Sequence, residues 1–256
     1  MDKKKLEQRL TALKGHIGFY YKNLVTGETY QYHSEDAFEA ASLPKLALLL
    51  EVLKLAQEGV LHLTDKVKVK DGDKVGGCGA LKSFPGDLEV DIETLCRLMI
   101  TISDNTATNA LLRLVGFERL RRDMEAMGLS ATRFERCYFD DEAQARGLSN
   151  YVCPGEIGML LEQIYRRSFC CEAVSAHAEE ILLLQQIRHK IPGYIDQGEK
   201  IANKTGESGK VTHDGAIVFA EKPFVLVICS EDTDVPETER FIREIALELY
   251  QENSAE

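Results

Sequence analysis

Strand-forming segments in this chain are confined to its two ends, and that segregation limits the available folds more than any other feature. Near the start, the runs HIGFYYKNL and ETYQYH flank Val25-Thr26-Gly27, the pattern of a β-hairpin. An amphipathic helix precedes them, from Lys3 to Leu13, with Leu6, Leu10 and Leu13 on one face. Near the far end, Ile201 to Thr205, Gly215 to Ala220 and Phe224 to Cys229 read as three more strands. A closing helix from Pro236 to Tyr250 carries Phe241, Ile242, Ile245, Ala246 and Leu249 on one stripe. Between these ends, from Ser42 to about Gln186, the periodicity predicts helices over Leu43–Gln57, Ile92–Ile102, Thr106–Val115, Glu118–Met127, Gly155–Tyr165 and Ala176–Gln186. No Ser/Gly linker divides the chain and no internal repeat is present. The economical assembly is α+β: one antiparallel five-stranded sheet built from both chain ends, packed against a helical lobe. Residues 1–41 plus about 190–256 would form the sheet lobe and about 42–189 the helical lobe of one domain. A ligand cleft is expected where the two meet.

Composition narrows the partners. The 256 residues suffice for a sizeable core without disulfide or metal staples. A net charge of -11 repels phosphate backbones and acidic membrane surfaces, which argues against nucleic-acid and membrane partners. No apolar run reaches the roughly 18 residues of a membrane span. Seven cysteines form an odd set without short metal-ligand spacing, as expected of free thiols in a reducing compartment. The opening MDKKKLEQRL has no apolar stretch behind its basic cluster, so a cytoplasmic location is expected. His16, His33, His62, His177 and His189 show no i, i+4 pairing, and neither zinc nor any other cofactor is called for. Nothing marks an oligomerisation surface.

Three short segments could carry chemistry. Ser42-Leu43-Pro44-Lys45 precedes the apolar run LALLLEVLKLA. Its plain reading is an N-cap serine with a first-turn proline and a solvated lysine. Its catalytic reading places Ser42 Oγ and Lys45 Nζ on one helical face, the lysine accepting the proton of a nucleophilic serine. Free N–H groups at the helix start would then face a developing oxyanion. Ser103-Asp104-Asn105 is either a capped junction between helices or a proton-shuttling hydroxyl beside a substrate-holding amide. Lys204-Thr205-Gly206 is either an ordinary strand end or a charge, a hydrogen bond and a gap for a substrate carboxylate.

The three segments occur together and in order, 61 residues from Ser42 to Ser103 and 101 from Ser103 to Lys204. In this the chain resembles the class A β-lactamase family of active-serine hydrolases, from the first helix to the last. That family also splits its sheet between the termini. The resemblance implies that Ser42 is acylated, with Lys45 as its proton partner. Ser103 would relay a proton to the leaving nitrogen, in contact with both Lys45 and Lys204. Asn105 would hold a substrate amide, while Lys204 and Thr205 would bind the carboxylate of a β-lactam or D-alanyl peptide. The backbone N–H groups of Ser42 and of Glu207, the residue after Gly206, would form the oxyanion hole.

One loop departs from the family. Aligned on Arg133, it reads RFERCYFDDE, and the position of the water-activating glutamate holds Tyr138. The asparagine expected four residues later falls at Glu142, and Asn150 stands near the place of the closing aspartate, so the usual arginine–aspartate clamp is lost. Asp140, Asp141 and Glu142 are the candidate substitute bases; a solvated acidic loop is their other reading. Without a positioned base, deacylation slows by a factor of about 10²–10⁴. A slow lactamase, a penicillin-binding-like peptidase, a cytosolic esterase and a non-catalytic ligand binder are the resulting alternatives. Two further segments are set aside: His213-Asp214 is read as part of a hairpin turn, His-Asp-Gly, and VGGCGALKSFPGD as a flexible loop bordering the cleft with Cys78 exposed, lacking the Gly-Lys-Ser ending of a phosphate loop.

Overall fold

The computed structural model describes residues 2–196 and 198–254. Helix α1 (Lys3–Ala12) starts at Asp2, whose carboxylate accepts from Lys5 N, and turns Leu6 and Leu10 inward. Strands β1 (His16–Asn23) and β2 (Thr29–Tyr32) follow as the expected hairpin, with Phe19 opposite Tyr32. A two-residue strand β3 (Phe38–Glu39) leads into α2 (Lys45–Gln57), which is buried on nearly every side. Then come β4 (Lys66–Val69), β5 (Leu88–Asp91), α3 (Ile92–Thr101), α4 (Asn105–Val115), α5 (Phe117–Ala126), the short α6 (Asp141–Ala145), β6 (Tyr151–Val152), α7 (Pro154–Tyr165) and α8 (Glu172–Leu183). The chain closes with β7 (Ile201–Ser208), β8 (Val211–Val218), β9 (Phe224–Glu231) and α9 (Val235–Ser254).

The main sheet runs β2-β1-β9-β8-β7, antiparallel throughout, so both chain ends contribute to it. Strands β1, β8 and β9 are buried on both faces, whereas the edge strand β2 alternates exposed and half-buried residues. One face packs on α1 and α9 through Phe19, Leu226, Ile228, Ile242 and Leu249. The other packs on the helical layer, where Leu43, Leu46, Ile157 and Leu161 meet Ile217 and Val227. Two small antiparallel pairs, β3 with β6 and β4 with β5, join segments to which the sequence analysis assigns no element. No helix among the described residues is long and apolar enough to cross a membrane.

The His213-Asp214 turn is corrected by this topology. Both residues lie inside β8, fully buried, opposite Gly206 and Thr205; the β7–β8 connection is instead at Gly209, with φ +54°. Gly215, taken as a turn signal, is there for close packing, since a Cβ would stand 3.2 Å from Ile157 Cγ2.

Candidate active site

Ser42 lies in the turn before α2 and not at the cap. Pro44 holds that position without a side-chain hydrogen bond, and Lys45 N bonds back to Ser42 O at 3.3 Å. Lys45 opens the helix with its side chain wholly buried. Its Nζ donates to Ser103 O at 2.8 Å, Ser103 Oγ at 3.1 Å and Asn105 Oδ1 at 2.7 Å. Those three contacts occupy all three protons of an ammonium group. Burial first, and the charge of Lys204 second, push the Lys45 pKa well below its usual 10.5. Once one proton is lost, a lone pair becomes free on Lys45, three residues along the chain from Ser42.

The Ser103–Asn105 junction is held by Asp104. Its Oδ1 caps α4 through Ala107 N, and its Oδ2 accepts from Ala80 N at 2.7 Å and Leu81 N at 2.9 Å. Gly79 passes so close that a Cβ would meet the Asp104 carboxyl at 2.3 Å. Asp104 is therefore the anchor of the turn. Ser103 itself sits at φ +57°, a left-handed conformation that a non-glycine residue adopts only when its surroundings enforce it. In that pose its Oγ receives Lys45 Nζ at 3.1 Å and Lys204 Nζ at 3.2 Å. Two ammonium donors fill both oxygen lone pairs, so the hydroxyl proton is left to donate elsewhere.

Strand β7 carries Lys204 and Thr205, both buried, against this cluster. Lys204 Nζ also donates to Thr205 O at 2.6 Å, and burial chiefly lowers its pKa to about 7. A Cβ at Gly206 would be 3.1 Å from both Ser42 N and Leu43 N, so β7 runs directly against the start of α2. Behind the strand stands a lysine that the sequence reading did not single out. Lys190 is fully buried, and its Nζ donates to Gly206 O and His213 O at 3.0 Å and pairs with Glu207 Oε1 at 3.1 Å. A hydrogen bond from His189, with the Lys190 charge, holds the Glu207 carboxyl down at about 2. Nothing in the linear pattern marks Lys190, because its partners are backbone carbonyls of another segment.

A cavity of about 250 Å³ opens over these elements, lined among others by Glu39, Ser42, Cys78, Asn105, Tyr138 and Glu207. Ser42, Asn105 and Glu207 thus reach its wall, while Lys45, Ser103, Lys204, Thr205 and Gly206 are buried beside it. Tyr138 occupies the place of the missing glutamate. Its ring lies 4.6 Å from Lys45 Nζ, a cation–π contact, and its Oη donates to Ala41 O at 2.6 Å. Burial raises the Tyr138 pKa, so it remains a phenol and offers no base.

Asp140, Asp141 and Glu142 are not brought to this cavity. Asp140 Oδ1 caps α6 through Ala143 N, Asp141 and Glu142 are exposed, and all three line a separate groove with Asp73 and Arg113. The loop is nevertheless closed without its arginine–aspartate clamp. Asn150 Oδ1 accepts from Glu135 N and Arg136 N, and Glu135 Oε2 accepts from Ser149 N. His213 is excluded as a base as well. Its Nε2–H donates to Glu39 O at 2.7 Å, its Nδ1 accepts from Ser230 N, and burial lowers its pKa to about 4.

Two buried lysines joined through one serine, beside a second serine at a helix start and under an edge strand, define a serine hydrolase that works through an acyl-enzyme. The chain belongs to the beta-lactamase enzyme family, whose profile matches residues 3–253. Among curated relatives, beta-lactamase CARB-3 of Pseudomonas aeruginosa is 24% identical over 245 residues, covering 93% of this chain and 84% of that protein. A beta-lactamase of Streptomyces lavendulae is 30% identical over 158 residues, 60% of this chain and 51% of its own. Of solved structures, the beta-lactamase from Sphaerobacter thermophilus superposes with a TM-score of 0.88 at 24% identity, covering 98% and 96% of the two chains. PBP-A, also 24% identical, gives 0.88 over 97% and 94%, and a variant of it was captured as an acyl-enzyme complex with penicillin G.

Proposed function

We propose that this protein is acylated on Ser42 by β-lactams or related amides and esters, and that it releases the acyl group slowly. In the acylation step, Ser42 Oγ bonds to the substrate carbonyl carbon and its proton passes to neutral Lys45 Nζ. The oxyanion is met by the N–H groups of Ser42 and Glu207. The carbonyl–nitrogen bond then breaks, and the leaving nitrogen takes the Ser103 hydroxyl proton, which Lys45 replaces. Asn105 and Thr205 would bind substrate. The observation that carries this reading is Ser103 Oγ bridging Lys45 and Lys204 at 3.1 and 3.2 Å. Slow release is supported by Tyr138, a phenol stacked on Lys45 where a water-activating carboxylate is expected.

A second reading, an esterase acting on substrates without a carboxylate, is favoured by the wall itself. Glu39 and Glu207 outnumber Arg136 among the charged residues of the cavity wall, which gives a substrate anion little help. The seven free thiols support a reducing, cytoplasmic location, and the two lobes are taken as one catalytic domain.

Intact-protein mass spectrometry after exposure to a fluorescent penicillin, and separately to an activated ester, tests both readings. The expected result is a single adduct, absent from Ser42→Ala and persisting for hours with the penicillin. An ester adduct alone would select the esterase. Absence of any adduct would leave a non-catalytic binder and end the proposal.

A further inference from the structure

The hairpin β1–β2 brings together a cluster that the function above does not use. His16 Nε2 stands 3.0 Å from Asp36 Oδ2, and His33 Nδ1 stands 3.2 Å from the same oxygen. The three donor atoms all lie within 4.8 Å of one another, and all three side chains are partly open to solvent. We propose that His16, His33 and Asp36 form a binding site for a borderline divalent cation of the zinc type, with water completing the coordination.

Geometry supports it first. Zinc takes imidazole nitrogen at about 2.0–2.1 Å and carboxylate oxygen at about 2.0–2.2 Å, so adjacent ligands of a tetrahedral ion sit about 3.4 Å apart. The two nitrogen–oxygen separations here are already within a few tenths of an ångström of that edge. The third edge, between the two imidazole nitrogens, lies within 4.8 Å, so an ion is seated by small rotations of the rings and the carboxylate.

The ligands are also held from behind, which a chance surface cluster does not require. His16 begins β1, its backbone fixed by the register with Glu231, and its ring stacks on buried Phe38 at 4.6 Å and 19°. His33 meets Tyr32 edge-on at 4.4 Å and 88°. Its backbone is left-handed at φ +47°, and Asp36 N bonds back to His33 O, so one turn presents both His33 and Asp36. Two imidazoles and one carboxylate suit zinc better than calcium or magnesium, which prefer all-oxygen shells. Each inner ring nitrogen would bind the ion through its lone pair, any proton on it passing to the outer nitrogen or to solvent.

A second three-ligand group, His189, Glu207 and Glu239, fails the same test. Lys190 Nζ stands 3.1 Å from Glu207 and Arg243 3.9 Å from Glu239, so cations already occupy it. Among the described residues, Asp36 pairs only with the two imidazoles. An ion there would join the start of β1 to the turn that feeds β3 and, through it, the segment leading to Ser42.

Titration of the fully reduced protein with Co(II), followed by displacement with Zn(II), tests the assignment. One equivalent should bind, giving the visible absorption of a four-coordinate ion without a thiolate-to-cobalt charge-transfer band. The double variant His16→Gln, His33→Asn should bind about 100-fold more weakly or worse. Asparagine tolerates the left-handed backbone at position 33, and Asp36→Asn gives an independent second test. Acylation of Ser42 should be unchanged in these variants, which also shows that they are folded. Equal cobalt binding by the double variant, or a thiolate band at the first equivalent, would overturn the proposal.

Discussion

Replacing Lys204 by glutamine should raise the pH at which Ser42 becomes acylated. A lysine that accepts the serine proton must be neutral, so acylation rises with pH through the Lys45 pKa. Burial lowers that pKa most, and the positive charge of Lys204 lowers it further. Both nitrogens donate to Ser103 Oγ, at 3.1 and 3.2 Å, which places them roughly 5–6 Å apart for ordinary angles at the shared oxygen. At an effective dielectric constant of about 20, two unit charges at that separation repel by about 3 kcal/mol. One pKa unit corresponds to about 1.4 kcal/mol, so full relief moves Lys45 up by about two units. Lys204 itself titrates at about 7, so it carries its whole charge only below neutrality, and the expected rise is about one to two units.

The measurement is the second-order acylation rate of Ser42 against pH, followed with a fluorescent penicillin and with an uncharged activated ester. Lys204→Gln also removes a charge from the proposed carboxylate site, so the plateau rate with penicillin should fall. The midpoint is independent of that loss, and the ester reports it without a substrate anion. Lys204→Arg keeps the charge and should hold the midpoint near that of the parent. A midpoint that stays fixed or falls in Lys204→Gln with both donors would refute the account of Lys45 as a base depressed by its neighbour.

Two further outcomes follow from buried groups. Tyr138→Glu puts a carboxylate beside Lys45 where the phenol now lies, and the penicillin adduct should decay about 10²–10⁴ times faster by mass spectrometry; an unchanged lifetime would show that Tyr138 is not what slows release. Glu51, buried in α2, has its pKa raised by burial to about 7 from the usual 4.5, so between those values the native state keeps a proton that the unfolded chain has lost. Stability should therefore fall as pH rises through that window, by up to about 1.4 kcal/mol per unit. In Glu51→Gln, denaturant unfolding should show that slope flattened.

Most of the sheet was legible because β1 and β9 are rich in aromatic and β-branched residues and β2 and β7 carry enough of the same types beside turn signals. The small pairs escaped because β3 and β6 are two residues long and because the period-2 alternation of β4 and β5 extends over only four residues each. At the site, Ser42, Lys45, Ser103 and Lys204 could be picked out by their order and spacing, and the structure joins Lys45, Ser103 and Lys204 directly. What stayed hidden depends on partners distant in the chain. Lys190 is buried against the carbonyls of Gly206 and His213, and Asn150 closes the loop by bonding to backbone of Glu135 and Arg136. His213-Asp214-Gly215 misled for the opposite reason: its composition is that of a turn, yet packing against Ile157 and Leu43 places it in a strand. The His16–His33 approach likewise exists only once the hairpin forms, and no spacing rule along the chain reveals it.

A protein of net charge -11 nevertheless keeps three lysines with no exposed side chain at one junction. The bulk charge cannot be what makes them tolerable, because exposed carboxylates are screened within about 8–10 Å of ionic solution. The local partners do it. Lys45 has two oxygens of Ser103 and one of Asn105, Lys190 has two carbonyls and Glu207, and Lys204 has Ser103 Oγ and Thr205 O. Only Lys190 has a carboxylate among these contacts, and it is the one lysine of the three that touches no group of the proposed proton relay. Lys45 and Lys204 are held by neutral oxygens, which satisfy their protons without cancelling their charge. Burial therefore outweighs these partners and depresses both pKa values, and a depressed pKa is what a lysine needs to exchange a proton near neutrality. A carboxylate placed against Lys45 would stabilise the ammonium form and hinder it as the acylating base, whereas the Tyr138 ring adds a weaker cation–π attraction. Under the proposed mechanism, the residue that stands in place of a deacylating carboxylate also spares Lys45 a negative neighbour that would hold it as ammonium, so Tyr138→Glu should slow acylation while it speeds release.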